Sequence, residues 1–188
     1  MLEIQKTDFP DLLLIQPKVF GDRRGSFVES YNAKDWAAAG ISHNFVQDNQ
    51  SVSSFGVLRG LHYQRGAFAQ TKVLRVAQGR ILDVVVDLRP TSPTFTKVFS
   101  VELDDEKGLQ ILVPRQFAHG FVVLSETATI IYKCDNFYSP QNESGINPLD
   151  PGLNFRWPIA IDKIVLSDKD RKLPSLKTVV ETQDWQAK

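Results

Sequence analysis

Between Ile81 and Cys134 the chain runs through three stretches whose apolar residues recur with a period of two. In Ile81–Arg89, Leu82, Val84, Val86 and Leu88 fall on one face, and Asp83, Val85 and Asp87 on the other. Phe95, Lys97, Phe99, Val101 and Leu103 alternate with Thr96, Val98, Ser100 and Glu102. Ala128, Ile130, Tyr132 and Cys134 alternate with Thr129, Ile131 and Lys133. Side chains of a strand point to opposite faces in turn, so these runs read as strands, not helices. Turn-forming strings separate them: Gln78-Gly79-Arg80, Arg89-Pro90-Thr91-Ser92-Pro93, Asp104-Asp105-Glu106-Lys107-Gly108 and Ser125-Glu126-Thr127. Short strands with such spacing imply an all-β sandwich or barrel.

The flanks read differently. Asn32 suits a helix N-cap, Ala33–Ala39 is helix-prone, and Gly40 suits a left-handed end. Beyond Asn136 alternation fades and Pro140, Pro148, Pro151, Pro158 and Pro174 appear. Residues from about 140 to 188 are therefore expected to wrap the β core as irregular segments, with a helical turn near Asp168–Arg171. No shift in composition marks a boundary, so residues 1–188 are expected to form a single domain.

Charge and cysteine content narrow the function. Lysine plus arginine and aspartate plus glutamate number 22 each, so the basic excess of a nucleic-acid binder is missing. No apolar run approaches the roughly 20 residues of a membrane span, and the first residues lack the pattern of a secretory signal. Cys134 is the single cysteine, which precludes an internal disulfide. A cytoplasmic protein without nucleic-acid or membrane partners is the expectation.

Three histidines, His43, His62 and His119, keep the search for chemistry short. Gly56-Val57-Leu58-Arg59-Gly60-Leu61-His62-Tyr63-Gln64 sets a histidine and an arginine in an otherwise apolar strand. A lone strand histidine is equally well a core residue with satisfied ring nitrogens. A guanidinium is costly to bury without an anion, however, so a strand holding both suits a polar cavity. His119, in Pro114-Arg115-Gln116-Phe117-Ala118-His119-Gly120-Phe121, reads alone as a turn histidine. Tyr132 reads alone as a core aromatic, and Asp168-Lys169-Asp170-Arg171 as a solvated turn. No phosphate-binding glycine loop and no nucleophile elbow is present.

Taken in order, Asp22-Arg23-Arg24-Gly25, Phe45-Val46-Gln47-Asp48-Asn49, Leu58-Arg59-Gly60-Leu61-His62-Tyr63-Gln64, Lys72-Val73-Leu74-Arg75-Val76, Phe117-Ala118-His119-Gly120-Phe121, Tyr132-Lys133-Cys134-Asp135-Asn136-Phe137-Tyr138 and Leu166-Ser167-Asp168-Lys169-Asp170 resemble the dTDP-4-dehydrorhamnose 3,5-epimerases. The resemblance spans residues 10–175 or so. It implies a double-stranded β-helix, the cupin-type jelly roll, with a few short helices. It also implies a homodimer and a substrate of dTDP-4-dehydro-6-deoxy-D-glucose, converted to dTDP-4-dehydro-L-rhamnose on the route to dTDP-L-rhamnose.

By motif position the resemblance makes His62 the general base, Tyr132 the general acid, Asp170 the partner of the His62 ring and Lys72 the cation beside the enolate oxygen. Arg59 and Lys169 would contact the diphosphate, with His119 lining the same cavity. Arg24, Glu29, Gln47, Asn49 and Glu143 would contact nucleotide and sugar, Arg24 and Glu29 from the second subunit. Tyr138 would stack on thymine. Metal-binding cupins carry a histidine where this chain has Gln64, so no metal and no cofactor is expected. A single-position epimerase, a 3,4-ketoisomerase and a non-catalytic sugar-binding cupin are the alternatives. Arg59 and His62 are three apart, which places them on opposite faces of a regular strand. If both reach one cavity, a bulge must lie within Arg59–Leu61.

Overall fold

The computed structural model describes residues 2–186. Their strands are β1 (Glu3–Lys6), β2 (Leu13–Gln16), β3 (Val19–Asp22), β4 (Gly25–Val28), β5 (Gln47–Ser54), β6 (Leu58–Gln64), β7 (Lys72–Gln78), β8 (Arg80–Asp87), β9 (Val98–Asp104), β10 (Gln110–Val113), β11 (Phe117–Val123), β12 (Thr127–Cys134) and β13 (Glu143–Gly145). The α-helices are short: α1 (Ala33–Ala38), α2 (Asp168–Arg171) and α3 (Leu176–Thr182). Among the described residues no helix is long and apolar enough to cross a membrane.

Two antiparallel sheets carry the fold. One has the strand order β1-β2-β10-β7-β12-β5, the other β13-β6-β11-β8-β9. Crossing between sheets along the chain, with few strands pairing their sequence neighbours, gives the jelly-roll arrangement of a cupin. β3 and β4 form a separate two-stranded hairpin.

Alternation decides what each face packs against. From the first sheet, Leu74, Val76, Ile111, Val113, Ala128 and Ile130 meet Ile81, Val85, Leu103, Phe117, Phe121 and Val123 from the second, and this is the interior cluster. The opposite face of the second sheet, with Leu58, Val84, Val86, Ala118 and Val122, packs under Leu153, Trp157, Ile164, Leu166, Leu176, Val179 and Trp185. These residues of the C-terminal segment thus pack on the outside of the second sheet. Burial of each Val, Leu, Ile or Phe side chain among them contributes about 1.5–3 kcal/mol. Trp36 of α1 packs with Ile15, Ile41, Val73 and Leu112 against the first sheet.

Local signals hold closely at α1. The Asn32 side chain accepts from the backbone N–H groups of Lys34 and Asp35, and Gly40 adopts φ +87°. Elsewhere the chain departs from its pattern. Phe95–Lys97 was expected in a strand, but β9 begins at Val98. The Asp87 carboxylate accepts from the Ser92 and Thr94 hydroxyls and from Arg89, and its backbone oxygen accepts from Thr96 N–H. Those bonds fold residues 89–97 into a turn. The C-terminal segment contains more order than expected: α2 falls at the foreseen helical turn, while β13 and α3 lie outside it. β13 pairs with β6 by backbone bonds that no side-chain pattern encodes.

Candidate active site

The site is built around β6. His62 pairs with His119 on β11, and Arg59 pairs with Phe121. Gly60 and Leu61 therefore stand opposite the single residue Gly120, which is a bulge. Gly60 has φ +116°, and the Gly60–Leu61 peptide is cis. A Cβ on Gly60 would lie 2.7 Å from both Gly120 Cα and His119 O, so only glycine allows the strands to approach here. The extra residue corrects the phase, and Arg59 and His62 line one cavity.

That cavity, about 510 Å³, lies between the sheets. β6 and β11 supply Arg59, His62, His119 and Phe121 from one sheet; β7 and β12 supply Lys72, Leu74 and Tyr132 from the other. Lys169 and Asp170 enter from α2. A second lobe of about 320 Å³ is lined by Gln47, Asn49, Gln64, Tyr138 and Glu143, and it shares His62, Lys72 and Tyr132 with the first. These three residues stand where the lobes meet.

His62 Nε2 lies 2.6 Å from Asp170 Oδ1, and Nδ1 has no partner among the described residues. Ser167 caps α2 by accepting from Asp170 N–H at 3.1 Å, which fixes the carboxylate under the ring. Burial pushes the Asp170 carboxyl up, but the hydrogen bonds from His62 and Gly60 outweigh it and hold it below the usual range. The pair therefore keeps an anion against the imidazole, which sets the tautomer and supports the imidazolium.

On the facing sheet, burial raises the Tyr132 phenol, so it stays protonated at neutral pH. Desolvation lowers the Lys72 ammonium, and the charges of Cys134, Glu143 and Asp83 oppose that effect. At the mouth, Glu143 accepts from Tyr138 OH and from Lys169 Nζ. The bond to Glu143 pushes Tyr138 up to about 12. Gln47 accepts from Tyr138 N–H at 3.0 Å and donates to Asn49 Oδ1 at 3.0 Å.

Eleven of the thirteen residues singled out in the sequence line these two lobes: Arg59, His62, Lys72, His119, Tyr132, Lys169, Asp170, Gln47, Asn49, Tyr138 and Glu143. Arg24 and Glu29 do not. Arg24 pairs with Asp22 at the tip of the β3–β4 hairpin, and Glu29 accepts from Asn32. Gln64 is buried and accepts from Ser139 N–H at 3.1 Å. Among the described residues no three His, Cys, Asp or Glu side chains converge as a metal site would need.

Comparison with known proteins agrees with this architecture. A family model described as dTDP-4-dehydrorhamnose 3,5-epimerase matches residues 6–178. The chain belongs to that family. The family's enzyme from Shigella flexneri is 49% identical over 170 residues, covering 90% of this chain and 93% of that one. The Legionella pneumophila enzyme, solved with dTDP-4-keto-L-rhamnose, is 41% identical with a TM-score of 0.92, covering 100% of this chain and 99% of that one. A 3'-monoepimerase from Streptomyces bikiniensis, solved with dTDP-quinovose, is 32% identical with a TM-score of 0.89, covering 96% and 91%. As a dTDP-4-dehydrorhamnose 3,5-epimerase family member the chain is an isomerase.

One residue behind this epimerase's cavity wall was not among those singled out in the sequence. Asp83 lies wholly buried behind His119. Its signal was present: an acidic residue interrupting the apolar run Ile81–Val86.

Proposed function

We propose that this isomerase inverts C3 and C5 of dTDP-4-dehydro-6-deoxy-D-glucose, giving dTDP-4-dehydro-L-rhamnose, as a cytoplasmic homodimer of single-domain chains and without a metal or other cofactor. The observation that carries the reading is that His62 and Tyr132 reach the junction of the two lobes from opposing sheets.

The C4 ketone acidifies the hydrogens on C3 and C5. In a D-gluco ring both are axial on one face, so one base can reach both. Asp170 occupies His62 Nε2, which leaves Nδ1 to take each proton, while the carboxylate stabilises the resulting imidazolium. The electron pair moves onto O4 as an enolate, beside the Lys72 ammonium. Collapse of the enolate takes a proton from the Tyr132 hydroxyl on the other face, and the carbon is inverted. Solvent then restores both groups. His62, not His119, suits the base role because its side chain is 26% exposed and stands at the junction, whereas His119 at 6% is sunk in the first lobe.

Arg59 and Lys169 suit the diphosphate as cations, with His119 beside them. Tyr138 offers a flat ring for thymine, and Gln47, Asn49 and Glu143 offer polar contacts to nucleotide and sugar. Arg24 and Glu29 would serve the site of the partner subunit, since neither reaches the cavity of its own chain. Binding these remote groups holds the reacting ring between base and acid.

The test is incubation with the 4-keto sugar in heavy water, coupled to an NADPH-dependent reductase. Deuterium at both C3 and C5 with cofactor oxidation is expected. Label at one carbon alone would replace this reading with a single-position epimerase, the activity named for the Streptomyces bikiniensis relative.

A further inference from the structure

Asp83 has no exposed surface. Both of its carboxylate oxygens lie on His119 Nε2, at 3.0 and 2.8 Å. The two residues are diagonal neighbours across β8 and β11, since Asp83 pairs with Phe121 and His119 with Val85. A carboxylate buried without a cationic or strongly donating partner is costly, so this contact needs a reason beyond packing.

We propose that Asp83 is a positioning residue that makes His119 a proton-coupled contact for the diphosphate of the nucleotide sugar. The proposal rests on the substrate reading above. With two carboxylate oxygens on Nε2, that nitrogen carries a hydrogen in both charge states of the ring. Nδ1 is then the atom that carries a hydrogen only in the charged ring; it has no partner among the described residues, on a ring that lines the cavity. Neutral His119 presents a lone pair there and repels a phosphate oxygen. Charged His119 presents an N–H and donates to it, and Asp83 balances the charge behind the ring.

The surroundings favour an anion. His62 and Arg59 face this cavity from β6, Lys72 from β7, Tyr132 from β12, and Lys169 and Asp170 from α2. Arg59, Lys72 and Lys169 against Asp170 and the Glu143 carboxylate bonded to Lys169 leave one positive charge in excess, and a charged His119 ring stands against Asp83, so the cavity favours an anion such as a diphosphate. Asp83 also opposes the desolvation of Lys72, as do Cys134 and Glu143. Bound diphosphate favours the charged ring of His119, so binding to the neutral ring takes up a proton.

The experiment is calorimetry of the whole enzyme with dTDP-glucose, in buffers of differing ionisation enthalpy. This ligand lacks the C4 ketone, and its diphosphate does not titrate near neutrality. Wild type is expected to take up protons on binding. Asp83→Asn should lose most of that uptake and bind roughly 10-fold more weakly at acidic pH, the size of a lost charge-assisted hydrogen bond. His62→Asn should keep the uptake. Should Asp83→Asn fail to fold, His119→Asn, which leaves Asp83 a donor, must abolish the uptake. Binding by wild type without proton uptake, or unchanged uptake in either the Asp83 or the His119 variant, overturns the proposal alone. Absence of any dTDP-glucose binding overturns the substrate reading and the proposal with it.

Discussion

At His62 one ring nitrogen is committed to Asp170 and the other is open to the cavity. His62→Ala removes the proposed base at the junction of the lobes, and exchange at both C3 and C5 should fall by at least about 100-fold. Deuterium incorporation measures this, and near-wild-type exchange would remove His62 from the mechanism. Tyr132→Phe tests the opposite wall. The phenyl ring keeps the packing and only the donated proton is lost, so turnover should drop roughly 100-fold or more while dTDP-sugar affinity stays within a few-fold. Loss of affinity in step with turnover would make Tyr132 a packing residue. Gln64 bears on metals: its side-chain oxygen accepts from Ser139 N–H where a metal-binding cupin carries a histidine. Treatment with a chelator should leave activity unchanged, and loss restored by one divalent ion would reverse that view.

Among the elements, β6 shows both the reach and the limit of reasoning from pattern. If Arg59 and His62 were to share a cavity, their three-residue spacing required a break in the strand, and the register shift opposite Gly120 supplies it. Alternation likewise placed β8 and β12 and separated the two faces of β8, without telling which of them faces the interior. Phe95–Lys97 failed because alternation is blind to the Asp87 side chain that turns the chain upstream. β13 failed because a three-residue strand pairs through backbone alone. The sequence also showed Asp83 without showing its partner, since His119 lies 36 positions away. Gly60→Ala should therefore be severe. Its Cβ would meet backbone of both His119 and Gly120 at 2.7 Å, and φ +116° disfavours any side chain. A loss of about 2–4 kcal/mol in urea unfolding is expected, of the size seen when backbone conformation and close packing conflict. A loss below about 0.5 kcal/mol would show that the β6–β11 approach is not needed.

For the whole molecule, the β3–β4 hairpin is the part that one chain leaves unexplained. It pairs with neither sheet, and Phe20 and Phe27 on it are 52% and 68% exposed. Arg24 at its tip has only Asp22 as a partner among the described residues. Two apolar rings beside a guanidinium suit a hairpin that packs on a second copy and delivers Arg24 and Glu29 to that copy's nucleotide. A closed two-fold dimer makes such an exchange reciprocal, with each chain completing the other's site. Mixing tests it. Arg24→Ala and His62→Ala chains should each be impaired at low substrate concentration, through binding and through chemistry. In a dimer formed from one of each, the site holding an intact His62 receives Arg24 from its partner. Random reassortment of equal amounts puts half the molecules in mixed dimers, each with one restored site of two. Activity should therefore recover to about a quarter of wild type after co-refolding. Recovery no greater than the average of the two separate variants would place Arg24 outside the partner's site, and with it the exchange that the hairpin implies.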